Sequence, residues 1–96
     1  MSDSYVVTLK WGYPYDEAVG AGQTEVSLQS PTTVRLLLDD MIQRYSALGT
    51  LLEQNGEGEF TALVCAEKNT EKRILTMHHQ VAEACTLQVI PPLSGG

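Results

Sequence analysis

Along the 96 residues apolar side chains recur at every second position, then at every third and fourth, then at every second again. This order constrains the chain most, because a helical stripe and a one-sided sheet bury their apolar surfaces against each other. Tyr5, Val7, Leu9 and Trp11 alternate with Val6, Thr8 and Lys10, which predicts a strand with the first set facing the core. Gly12, Pro14, Gly20 and Gly22 interrupt the pattern and predict a loop over 12–23, whose Tyr13 and Tyr15 either form a binding surface or, as is more common, lie over the edge of a small core. Thr24 to Gln29 alternates again, with Val26 and Leu28 inward. Ser30-Pro31-Thr32-Thr33 predicts the start of a helix capped by Ser or Thr. Val34, Leu37, Leu38, Met41, Tyr45 and Leu48 then form one apolar stripe, with Gly49 as its stop and Leu51 and Leu52 packed beneath the connection. Asn55 to Glu59 reads as an exposed acidic turn. Phe60 to Ala66 predicts a central strand buried on both faces, Glu67 to Arg73 a polar turn, Ile74 to Met77 a short strand, and Thr86 to Ile90 the last strand. The expected class is α+β, a mixed sheet with one main helix across it.

Composition bounds what such a fold can do. Leu, Ile, Val and Phe make up a quarter of the chain, enough for a single modest core and above the level typical of disorder. Twelve acidic residues against six Lys and Arg give a net charge of −6. That charge repels phosphate backbones, and the cations are dispersed, so nucleic-acid binding is not expected. The longest aliphatic run is Leu36 to Leu38, so no membrane span is expected. Met1-Ser2-Asp3-Ser4 has neither the basic nor the apolar character of a secretory signal, and two cysteines are too few for a disulfide framework. The expected compartment is the cytoplasm.

Catalytic constellations are sparse. Gly20-Ala21-Gly22 lacks the Lys and Ser/Thr of a phosphate loop and reads as a turn. His78 and His79 are adjacent, and on a strand such neighbours point to opposite faces. Cys65 and Cys85 each lack a close-spaced partner and read as small apolar residues in or near the core. No metal site is expected.

The last six residues carry the strongest functional signal. Pro91 and Pro92 lock their own φ and stop a ladder from continuing. Six extended residues reach roughly 20 Å. Gly95 and Gly96 lack Cβ atoms and fit a narrow channel, where a terminal carboxylate, ionised at neutral pH, could attack a phosphorus centre. The expected division is a domain over 1–90 and a flexible, extended tail over 91–96.

With the strand–strand–helix–strand order, this ending resembles the ubiquitin-like β-grasp sulfur-carrier family, and most nearly the small subunit of molybdopterin synthase. Asp16-Glu17-Ala18-Val19-Gly20 is similar to the family's acidic, Gly-terminated loop after the first strand. Thr33 through Arg44-Tyr45 resembles its helix, and Pro91-Pro92-Leu93-Ser94-Gly95-Gly96 its terminus. Family members commonly carry an Asn-Gly hairpin and a Gly-Asp before the last strand. Here those places hold Glu67-Lys68-Asn69-Thr70 and Ala84-Cys85, which leaves the pathway open.

The resemblance implies a carrier whose Gly96 carboxylate is adenylated and then converted to a thiocarboxylate, which donates sulfur in cofactor biosynthesis, molybdopterin first. Gly96 is then the reacting residue. Gly95, Ser94, Leu93, Pro92 and Pro91 form the tail that enters partners, with Leu93 as an apolar contact. Either Val89 or Ile90, whichever faces away from the core, supplies another. The implied partners are an adenylating enzyme of the ubiquitin-activating type, which holds ATP and Mg²⁺, and the large synthase subunit or another sulfur acceptor. The chain itself binds no cofactor and acts, at most, as the non-catalytic subunit of a sulfurtransferase. A protein modifier joined to lysine through Gly96, a carrier for thiamine, cysteine or tRNA thiolation, and a plain binding domain remain open alternatives.

Overall fold

The first alternating stretch forms β1 (Tyr5–Trp11), and its odd-numbered residues turn inward as the pattern requires, with Val7, Leu9 and Trp11 buried. The computed structural model describes residues 4–52 and 60–92. The predicted acidic turn over 55–59 and the tail residues Leu93, Ser94, Gly95 and Gly96 lie outside the described residues. The further elements are α1 (Tyr15–Val19), β2 (Gln23–Leu28), β3 (Thr32–Thr33), α2 (Val34–Arg44), α3 (Ser46–Leu51), β4 (Leu63–Lys68), β5 (Glu71–Leu75), β6 (Gln80–Val81) and β7 (Cys85–Ile90).

Five strands make one mixed sheet in the order β2-β1-β7-β4-β5. β1 and β7 are parallel at its centre, in register from Val7 opposite Cys85 to Trp11 opposite Val89. The other three pairings are antiparallel. The helices cover one face. Val34, Leu37, Leu38 and Met41 of α2 and Leu48 of α3 join Val7, Leu9, Val26, Val64, Leu87 and Val89 in a single core. Each fully buried aliphatic side chain there contributes about 1.5–3 kcal/mol. Tyr45 packs against this core half-buried, and Leu52 is buried beneath the connection as expected.

The start of α2 is closed by tertiary as well as local bonds. The Thr33 hydroxyl accepts from the Leu36 amide at 3.2 Å, the predicted cap. The amides of Val34 and Arg35 donate to the carbonyls of His79 and Met77, at 3.1 and 3.0 Å. Three of the helix's orphan donors thus find partners. β3 pairs with β6 just upstream and ties the same two segments together. The Tyr5 hydroxyl spans both, donating to the carbonyls of Ser30 and Val81.

Several expectations are corrected. The segment 12–23 is not all loop: Tyr15 to Val19 is helical, closed by Gly20 at φ 82°, and Tyr15 is buried while Tyr13 is exposed. Gly49 does not stop the main helix. The break comes at Tyr45, whose φ of −126° is not helical, and Gly49 lies inside α3. A Cβ on Gly49 would sit 3.0 Å from Cγ2 of Ile42, so its smallness serves packing. The strand predicted at Phe60 begins at Leu63, although Phe60 and Ala62 are buried. That strand is paired on both sides, but the middle strand of the sheet is β7.

The polar turn over 67–73 shrinks to Asn69 and Thr70 between paired Lys68 and Glu71, with Asn69 at φ 60°, a conformation asparagine tolerates better than most. Glu71, Lys72 and Arg73 belong to the edge strand β5, where charged side chains are usual. His78 and His79 follow β5 in a turn and its exit and do not lie on a strand.

Candidate functional site

Pro91 and Pro92, the last described residues, follow directly on the middle strand of the sheet. Along β7, Cys85, Leu87 and Val89 point to the helices while Thr86, Gln88 and Ile90 point to the open face. Val89 is wholly buried and Ile90 half-buried, so Ile90 is the residue of the pair that faces away from the core. Pro91 is half-buried and Pro92 exposed, and the ladder ends at Ile90, immediately before the residues that lack an N–H.

Both flanks of Ile90 are defined. On one side it lies opposite Leu63 of β4. On the other, the Gly12 amide donates to the Val89 carbonyl at 2.8 Å, extending the parallel ladder one step beyond Trp11. A Cβ on Gly12 would fall 2.8 Å from Cγ2 of Ile90, so only glycine lets the two segments approach this closely. The Gly12 carbonyl in turn accepts from the Tyr15 amide at 2.8 Å, which anchors α1 beside the root of the tail. In the sequence Gly12 signals only a break in alternation; its contact with Ile90 depends on the pairing of the first and last strands.

The open face beside Ile90 is mixed: Leu63, Cys65 and Ile74 are apolar, while Gln88 is the next open-face residue along β7 and Lys10 lies opposite it. Leu63 is half-buried, Cys65 buried, and Ile74, opposite Cys65 on β5, is 67% exposed. Ile74 is a surface residue that sequence reasoning missed, although its alternation with Arg73 and Leu75 was visible once β5 is taken as a strand. Lys10, opposite Gln88, pairs at 3.3 Å with Glu67, opposite Thr86, so a polar strip crosses β7 diagonally from the open-face position next to Ile90.

The remaining chemistry-bearing residues lie elsewhere. Cys65 faces the open side and Cys85 the helix side, so the two thiols are on opposite faces of the sheet. Both are free and sit in or beside the core, as expected for small apolar residues. Burial, and secondarily the carboxylate of Glu83, push the Cys85 thiol above its ordinary value. An open depression of about 670 Å³ lies by the start of β7, away from the tail, lined by Arg73, Leu75, Val81 and Cys85 among others. Among the described residues no three His, Cys, Asp or Glu side chains come together to hold a metal ion. No helix among them is long and apolar enough to cross a membrane.

Solved structures share this architecture. Small archaeal modifier protein 1 from Haloferax volcanii superposes with a TM-score of 0.71 at 22% identity, over 95% of this chain and 99% of that one. The same-named protein from Methanosarcina acetivorans gives 0.67 at 17% identity, over 97% and 98%. A candidate molybdopterin converting factor, subunit 1, from Pyrococcus furiosus gives 0.71 at 14% identity, over 93% and 99%. The chain has the ubiquitin-like β-grasp fold. No protein-family model and no curated protein matches it. In this β-grasp domain the two apolar contacts expected beside the tail divide: Ile90 lies at the edge of the open face, and Leu93 falls outside the described residues.

Proposed function

We propose that this β-grasp protein is a ubiquitin-like sulfur carrier that is charged at Gly96 and delivers sulfur in cofactor biosynthesis, molybdopterin before other pathways. The observation that carries the reading is that the sequence Pro91-Pro92-Leu93-Ser94-Gly95-Gly96 follows directly on the central strand, whose last residue, Ile90, faces the open side opposite Leu63. The name borne by the Pyrococcus furiosus structure points the same way. A carboxylate oxygen of Gly96 attacks the α-phosphorus of ATP on an adenylating partner, and pyrophosphate leaves. A persulfide sulfur then attacks the acyl carbon and expels AMP. A thiol cleaves the resulting acyl disulfide, which frees the Gly96 thiocarboxylate and leaves a disulfide on the donor side. This chain supplies the carboxylate and the docking surface. ATP and Mg²⁺ belong to the partner.

A second reading is supported by the names of the archaeal structures: a modifier whose activated Gly96 forms an isopeptide bond with a lysine. One experiment separates the two. The protein is incubated with ATP, Mg²⁺, a persulfide donor, a thiol and an adenylating enzyme of its own cell, and intact mass is measured. A carrier gains the difference between sulfur and oxygen, localised to Gly96. A modifier appears as a branched conjugate on another protein. Neither product with the unaltered chain, or the same product after deletion of Gly96, rejects activation at Gly96.

A further inference from the structure

The open face around Ile90 accounts for only one side of the tail's root. On the other side the chain runs through Gly12 into Tyr13. The Gly12 amide bonds to the Val89 carbonyl and a Cβ on Gly12 would touch Ile90, so Tyr13, the next residue, opens its turn near the end of β7.

Tyr13 is 70% exposed, the most exposed large hydrophobic side chain among the described residues. Its backbone is nevertheless held on both sides. Gly12 bonds to Val89, and the amides of Tyr15 and Asp16 donate back to the Gly12 carbonyl at 2.8 and 3.3 Å. Two residues on, the ring of Tyr15 is buried in the core. The fold therefore uses one tyrosine of this loop for packing and presents the other, on a fixed frame, to solvent.

A partner that acts at Gly96 has to approach the domain closely, because the six residues after Ile90 reach at most roughly 20 Å. Such a partner meets the domain where β7 ends at Ile90, flanked by Gly12 on one side and Leu63 on the other, with Tyr13 next along the chain from Gly12. An exposed tyrosine there offers a large amphipathic contact that loses little conformational entropy on binding, the character of residues that dominate interface energies.

We infer that Tyr13 is a partner-contact residue at the root of the tail, packing against the adenylating enzyme that receives Gly96 and so setting its affinity for this carrier. The inference rests on the activation of Gly96 proposed above. Tyr13 would act in binding and not in chemistry, since the adenylation and sulfur transfer proposed above use the Gly96 carboxylate and partner groups alone.

The test is ATP–pyrophosphate exchange by the adenylating enzyme, with the full chain varied in concentration. Tyr13→Ala is expected to raise KM for the carrier about tenfold with kcat within twofold, and Tyr13→Phe to restore KM to within about threefold. Matching circular dichroism and thermal midpoints for the variants exclude a folding defect. A KM for Tyr13→Ala within twofold of the unaltered chain overturns the inference and leaves activation at Gly96 intact. A fall in kcat with unchanged KM overturns it equally. Absence of exchange with the unaltered chain overturns the activation reading, and the role of Tyr13 falls with it.

Discussion

A methyl group added at Gly12 would lie 2.8 Å from Cγ2 of Ile90 and 3.2 Å from the backbone oxygen of Val89. The first neighbour can rotate, but the second is backbone in the central strand and has little room to give. Gly12→Ala is therefore expected to cost about 1–3 kcal/mol in denaturant unfolding. Gly22→Ala, where nothing lies within 4 Å, should stay within about 0.5 kcal/mol and serves as the control. Equal midpoints for both would show that Ile90 moves aside freely. Cys85 gives a pH-dependent prediction. Its thiol is held above the ordinary 9.0, first by burial and then by Glu83. The folded state thus holds this proton more tightly than the unfolded state does. The resulting stabilisation is present below about pH 9 and is lost as pH rises through the folded value. Alkylation of Cys85 by iodoacetamide, followed by intact mass against pH, should rise only above pH 9, and Glu83→Gln should move the rise downward. A rise at or below the ordinary value would contradict the burial argument.

Three kinds of bond converge on the start of α2: the Thr33 hydroxyl, the carbonyls of Met77 and His79, and the β3–β6 pair just upstream. Because the tertiary bonds remain when the hydroxyl is removed, Thr33→Ala should cost about 1 kcal/mol, a capping loss only. A loss of several kcal/mol would mean that the cap also holds the 77–79 segment in place. β1, the α2 stripe and β7 were legible because each sustains one period over enough residues to exclude the other. α1 has five residues, too few to display a helical period, and a buried Tyr15 looks the same in a sequence as an exposed Tyr13. β3 and β6 have two residues each and exist only through their pairing. The break at Tyr45 was hidden because the apolar stripe continues through it to Leu48. At the tail's root, alternation fixed that only one of Val89 and Ile90 faces the core. Which one depends on the helices' side of the sheet, and the closeness of Gly12 depends on a partner strand at the far end of the chain.

The whole molecule carries a net charge of −6, and the ion pairs among the described residues are exposed or partly exposed: Lys10 with Glu67, Arg35 with Asp39, and Arg44 with Asp40. Such pairs are worth about 0–1 kcal/mol each. Self-repulsion of the acidic excess acts over longer range and is the larger target for screening. The thermal midpoint should therefore rise between about 0.01 M and 1 M sodium chloride, as the Debye length falls from about 30 Å to 3 Å. A falling midpoint would show that the pairs outweigh the repulsion. The parallel ladder of β1 and β7 has a consequence of another kind. The beginning of β1 and the end of β7 lie at opposite ends of that ladder, so tension between the N-terminal segment and the tail drags the strands past each other and loads all their hydrogen bonds together. Tension between Thr61 and Pro92, at the same end of the antiparallel β4–β7 pair, peels the bonds apart one at a time. In single-molecule pulling, handles at Ser4 and Pro92 should need the greater rupture force. Force applied through the tail therefore meets the stiffer of these two directions when the N-terminal segment is the point held.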